Sequence, residues 1–119
     1  MNVALWIAQV LLAVVFLMAG FMKAFLFERA KASLPWVQGT ARGLVLFIGL
    51  AELLGGLGLV LPPLFGWPAM LTPLAALGLA VIMVLAAGFH IKRGEGNALP
   101  INLILLLLAA FIAYGRWPA

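Results

Sequence analysis

Four apolar runs, each near the length of a membrane crossing, limit what this chain can fold into. A helix needs roughly 20 mostly apolar residues to cross a hydrocarbon core ~30 Å thick. The runs extend from about Ala4 to Met22, Gly43 to Leu61, Pro68 to Phe89 and Leu99 to Tyr114, the last being the shortest. They are apolar on every face, whereas barrel strands alternate apolar and polar positions, so they read as helices. Composition leaves lipid as the only adequate solvent. Of 119 residues, 67% are apolar and 8% charged, with a mean hydropathy of +1.27. Soluble domains are about 45–50% apolar and about a quarter charged. A short chain exposes too much of its surface to keep such a composition from water. The expectation is an all-α membrane protein: one membrane domain over residues 1–119 forming a bundle of four transmembrane helices.

The punctuation between runs fits helices. Pro62 and Pro63 are expected to stop the second span, since proline lacks a donor and clashes with the preceding turn. Pro68 suits the opening turn of the third, and Pro73 inside it predicts a kink near its start. Asn97 is a candidate cap for the fourth span, with Pro100 tolerated in its first turn. The first run has no basic segment before it and is too long for a signal peptide, so it reads as a retained span despite the loosely cleavage-like Ala30-Lys31-Ala32. Residues 24–41 form the longest connection. Phe25, Leu26 and Phe27 are followed there by Glu28, Arg29 and Lys31 and then by Leu34, Pro35 and Trp36, a pattern for a helix extension that emerges and then lies in the interface. It reads either as a simple connector or as a lid over an inner cavity.

Charge sets the expected orientation. Lys23, Arg29, Lys31 and Arg42 lie between the first and second spans, and Lys92 and Arg93 between the third and fourth. The Pro62–Trp67 turn has no basic residue, and the C-terminal tail has Arg116 alone. Basic loops favour the cytoplasmic side, which puts both termini outside. Trp6, Trp36, Trp67 and Trp117 fall near the borders, where aromatic belts form. The net charge of +4 gathers at these borders and gives no nucleic-acid surface. With no cysteine, disulfides, thiol relays and cysteine-held zinc or iron–sulfur centres are excluded within the chain. No metal site is expected, and a bis-histidine haem would need a second copy because His90 is the single histidine.

Function in a membrane helix concentrates at polar residues. Glu52 lies ten residues past Arg42, roughly 15 Å into the membrane at ~1.5 Å per residue. A bare carboxylate there costs at least a few kcal/mol on insertion-type scales. It must be protonated, paired or facing water. Gly49, Gly55 and Gly56 surround it and leave space for a neighbouring backbone or a ligand. Gln9, Ala13, Phe16, Gly20 and Lys23 form one helical stripe in which Gly20 permits close approach. Lys23 either reaches Glu52 or snorkels to the border. His90 ends the third span with Met83 and Ala87 on its face, and Asn102 opens the fourth. Both are read either as ligand contacts or as a border histidine and a helix-to-helix hydrogen bond. Together Glu52, Lys23, His90 and Asn102 describe a polar pocket open toward the cytoplasmic leaflet. Small residues, Gly20, Gly49, Gly55 and Gly56 with the Ala51–Gly55 and Ala76–Ala80 pairs, support tight packing or an oligomer interface.

The first span ends Phe16-Leu17-Met18-Ala19-Gly20-Phe21-Met22-Lys23, and the second reads Phe47-Ile48-Gly49-Leu50-Ala51-Glu52-Leu53-Leu54-Gly55-Gly56-Leu57-Gly58. With Leu71-Thr72-Pro73-Leu74-Ala75-Ala76-Leu77-Gly78 and Phe89-His90, these segments resemble the DoxX-like family of small bacterial four-helix membrane proteins over nearly the whole chain. The resemblance implies a multi-pass protein of the bacterial inner membrane. It also implies a link to membrane redox work, since relatives include a quinone-reducing thiosulfate oxidoreductase and an oxidative-stress complex. Lys23 and Glu52 are the functional candidates that match the family pattern. The expected function is a site for a small lipophilic molecule such as a quinone, in an accessory subunit serving a redox partner protein. Lys23, His90 and Asn102 would supply donors and Glu52 a proton-exchanging group. No cofactor motif lies within the chain, so a complete enzyme is not expected. An oligomeric, proton-coupled carrier and a purely structural assembly subunit are the alternatives, and a homo-oligomer is expected in either case.

Overall fold

The computed structural model describes residues 2–34, 37 and 39–118. Pro35 and Trp36, placed at the membrane border from sequence, lie outside the described residues. The fold is helical throughout, with no strand among the described residues. The helices are α1 (Asn2–Phe25), α2 (Phe27–Ser33), α3 (Arg42–Phe65), α4 (Leu71–Lys92) and, after a single 3-10 turn at Gly96–Ala98, α5 (Leu99–Gly115). α1, α3 and α4 are long and apolar enough to cross a membrane, while α5 is apolar but shorter, at 17 residues. The molecule measures 41 × 27 × 19 Å, so its long axis exceeds a hydrocarbon core of ~30 Å.

The α1–α3 interface is the most extensive, followed by α4–α5 and then α3–α4, while α5 returns to α1. Neighbours run antiparallel. Gln9 meets Leu59 and Lys23 meets Glu52 across the first pair. Thr72 meets Gly58, and Leu79 lies against Gly55, across the second. A core of Leu12, Phe16, Leu59, Leu79, Ile112 and smaller residues fills the centre. Outward positions carry large apolar side chains, among them Leu54, Leu85 and Met18, on a surface that only lipid can solvate. The two basic connections share one end of the molecule: a Cβ on Gly39 would stand 3.4 Å from Arg93 Nη1.

α3 does not stop at Pro62. It runs through Pro62 and Pro63 to Phe65 and ends at Gly66, whose φ of 67° is the left-handed cap that glycine adopts without strain. The prolines remove the amides that would bond the carbonyls of Gly58 and Leu59, four residues back. Other helices supply the donors. Thr72 Oγ1 donates to the Gly58 carbonyl at 3.1 Å, and Gln9 Nε2 to the Leu59 carbonyl at 2.6 Å. Membrane helices tolerate proline where neighbours satisfy the freed backbone in this way. Helix α4 starts at Leu71, three residues past Pro68. Pro73 therefore sits in the first turn, where its missing amide has no helical partner to lose, and the basis for a kink disappears.

The connection between α1 and α3 is folded. Ala30, Val37 and Val45 form a buried cluster that draws in Met22, Phe27 and Leu34. The Arg42 guanidinium lies 4.8 Å from the centre of the Phe27 ring. α2 is thus held against the ends of α1 and α3.

Candidate functional site

The stripe Gln9, Ala13, Phe16, Gly20 and Lys23 is buried along its whole length. Its counterpart is the α3 face bearing Gly49, Glu52, Gly56 and Leu59. Glycine sets the distance between them. A Cβ on Gly20 would lie 2.6 Å from the Gly49 carbonyl oxygen, and one on Gly49 would lie 2.9 Å from the Gly20 carbonyl oxygen and the Ala24 nitrogen. The two backbones touch at this level, which only glycine permits.

Beside that contact Lys23 Nζ donates to Glu52 Oε1 at 2.7 Å. The side chains are 10% and 3% exposed before any lipid is added. An ion pair at this depth offsets the desolvation of two charges only with good geometry and further hydrogen bonds. The space around Glu52 is filled by protein on three sides. The α1 backbone occupies the side of Gly49. Leu79 lies where a Gly55 side chain would go, 2.6 Å from the would-be Cβ, and Leu17 covers Gly56 at 2.9 Å.

The other two candidates are engaged elsewhere. Asn102 Nδ2 donates to the Met83 carbonyl at 2.8 Å, tying α5 to α4. His90 Nδ1 meets Glu95 Oε1 at 2.9 Å, and Arg93 Nε lies 3.2 Å from Glu95 Oε2. These contacts close the α4–α5 connection, helped by Gly94 at a φ of 70°. The hydrogen bond with His90 is the largest influence on the Glu95 carboxyl; burial opposes it, and with the contribution of Arg93 the carboxyl is held below its ordinary value. The structure therefore joins Lys23 to Glu52 and gives His90 and Asn102 partners of their own. No cluster of three histidine or acidic side chains able to hold a metal occurs among the described residues.

Three residues outside the sequence-derived set carry polar contacts. Thr72 caps the first proline gap. Arg116 Nε donates to Gln9 Oε1 at 2.6 Å, and its guanidinium lies 5.7 Å from the centre of the Trp6 ring. Glu95 is the partner of His90. For Thr72 the signal was present: two prolines late in an apolar run announce two carbonyls that need donors.

Long lipid-facing helices joined by polar contacts across their interfaces define a multi-pass integral membrane protein. The chain belongs to the DoxX-like family, whose model matches residues 7–112. The match takes in the whole Lys23–Glu52 interface and Asn102. No curated protein and no solved structure matches the chain.

Proposed function

We propose that the protein crosses the bacterial inner membrane four times, with both termini outside, and that Lys23 and Glu52 bind a small lipophilic molecule with a hydrogen-bond-accepting oxygen, such as a quinone. In this reading the chain is an accessory subunit, assembled with copies of itself and serving a membrane redox partner. The observation that carries it is the buried pair. It places a strong donor and a proton-exchanging carboxyl 2.7 Å apart within two apolar helices, and intramembrane charges are costly enough to mark function by default. Lys23 Nζ has three donor hydrogens and Glu52 several acceptor positions, so a carbonyl oxygen can join the pair without breaking it. Asn102 and His90 hold α4 and α5 in place around the site. A structural reading competes with this one, and the close packing of Gly49, Gly55 and Gly56 favours it.

Native mass spectrometry of protein released from its own membranes separates the two. The ligand reading expects wild type to carry a defined small molecule that Glu52→Gln loses while keeping its oligomeric state. If wild type carries no such molecule and Glu52→Gln only changes assembly, the pair is a helix lock and the ligand reading is discarded.

A further inference from the structure

A groove of about 470 Å³ runs along the lipid-facing side of the molecule where α1, α2 and α3 meet. Its walls include Leu17, Met18, Phe21, Met22 and Leu53, and Arg29 is its charged lining residue. The groove is a shallow trough open toward lipid rather than an enclosed pocket. Its chemistry is graded along its length. Leu17 to Met22 give an apolar floor that follows α1 toward the basic end of the molecule, and Arg29 stands on α2 at that end. Arg29 is exposed and makes no hydrogen bond or ion pair among the described residues. A guanidinium presents a planar fork of donors suited to a phosphate, and an apolar trough leading away from it suits an acyl chain.

We infer that this groove is a binding site for one anionic phospholipid, with its phosphate on Arg29 and an acyl chain between Met18, Phe21 and Leu53. Charge favours an anionic over a zwitterionic headgroup. Arg29 is the charged residue of the lining, and the acids in the two connections are Glu28 and Glu95 alone, of which Glu95 is bound by His90 and Arg93. The inference is independent of the Lys23–Glu52 ligand. The groove lies on the lipid side of Leu17 and Leu53, the two side chains that cover Gly56 and Gly20. A bound lipid would hold α2 against α1 and α3 without reaching the ion pair.

The test places the full chain in nanodiscs of phosphatidylcholine with a minor fraction of phosphatidylglycerol and reads bound lipid by native mass spectrometry. Wild type should retain one phosphatidylglycerol with about a fivefold preference over its share of the bilayer, the scale expected for one well-placed basic side chain. Arg29→Gln should bring that preference to about one, and Lys92→Gln, at the same end but outside the groove, should leave it unchanged. Met18→Trp, which fills the groove and keeps the arginine, should also abolish retention, and it stands in if Arg29→Gln does not insert. Equal retention of both lipids by wild type overturns the site. So does an equal loss for Arg29→Gln and Lys92→Gln, which would show diffuse attraction to a basic surface. A groove occupied instead by a second copy would appear as dimer that Met18→Trp dissociates with no lipid retained, and that outcome also overturns it.

Discussion

Lys23 reaches Glu52 by passing over Gly49. A Cβ on Gly49 would stand 2.9 Å from Lys23 Cβ, and Glu52 lies three residues, about one helical turn, farther along α3. The lysine stem therefore lies along α3 at a position, Gly49, where that helix has no side chain to obstruct it. The ion pair and the glycine contact are parts of one arrangement.

Breaking the pair from one side strands a charge in the membrane. Glu52→Ala should cost ~3–5 kcal/mol of stability, the scale for removing one partner of a buried pair. Replacing both residues together, Lys23→Met with Glu52→Leu, should recover most of the loss, because two apolar side chains need no desolvation. Equilibrium unfolding in mixed micelles of rising SDS fraction measures each variant. A double variant as unstable as Glu52→Ala would show that more than the charge balance was lost.

Adding a methyl group tests the crossing itself. Gly49→Ala must displace backbone atoms of α1 and the Lys23 stem, and overpacking of this kind costs ~1–3 kcal/mol. Gly78→Ala, on α4, meets nothing within 4 Å and replaces a poor helix former with a favourable one. It should therefore lose no stability. Unfolding midpoints of the two variants give the comparison. Equal losses would mean that the α1–α3 contact is looser than these distances require.

The α4–α5 connection carries an acid-sensitive contact. Hydrogen bonding to His90, first, and to Arg93 lowers the Glu95 carboxyl below its ordinary value near 4.5. Its contribution to folding is therefore fully present above that value and is lost as the pH falls through the lower, folded-state titration. Amide hydrogen exchange over residues 90–98 should be slow at neutral pH and speed up as the pH drops below about 4.5, once the intrinsic pH dependence of exchange is divided out. Glu95→Gln should exchange faster at neutral pH and lose the extra acid response. An acid response that persists in Glu95→Gln would assign it to another group.

Much of this arrangement was legible from the residues alone. Apolar runs locate the helices because lipid demands them, and helical spacing puts Gln9, Gly20 and Lys23 on one face and Glu52 midway along α3. Spacing gives position along a helix axis, which is why Lys23 and Glu52 suggested each other. It does not give the partner around the axis. The sequence puts Asn102 and His90 toward the same end of the bundle as Lys23, yet one bonds the Met83 carbonyl and the other turns to a glutamate in the following loop. The end of α3 was misplaced for a related reason. Local rules stop a helix at Pro62, and they hold unless another helix brings a donor to each freed carbonyl, which no local pattern reveals.

That last relation makes a prediction with its own internal control. Gln9 donates to the Leu59 carbonyl because Pro63 cannot, and Gln9 also accepts from Arg116. Gln9→Leu should cost ~1–3 kcal/mol, the range for leaving buried polar groups unsatisfied. In a Pro63→Ala background the new amide can bond the Leu59 carbonyl within the helix. The same Gln9→Leu change should then cost roughly 1 kcal/mol less, leaving the part that belongs to Arg116. Thr72→Val and Pro62→Ala form the parallel cycle at Gly58, with a smaller coupling because that bond is longer and only partly buried. SDS-titration unfolding of the four variants in each cycle supplies the coupling energies. Additive effects within error at both sites would mean that the freed carbonyls find partners without Gln9 or Thr72, and that α3 passes its prolines by some other means.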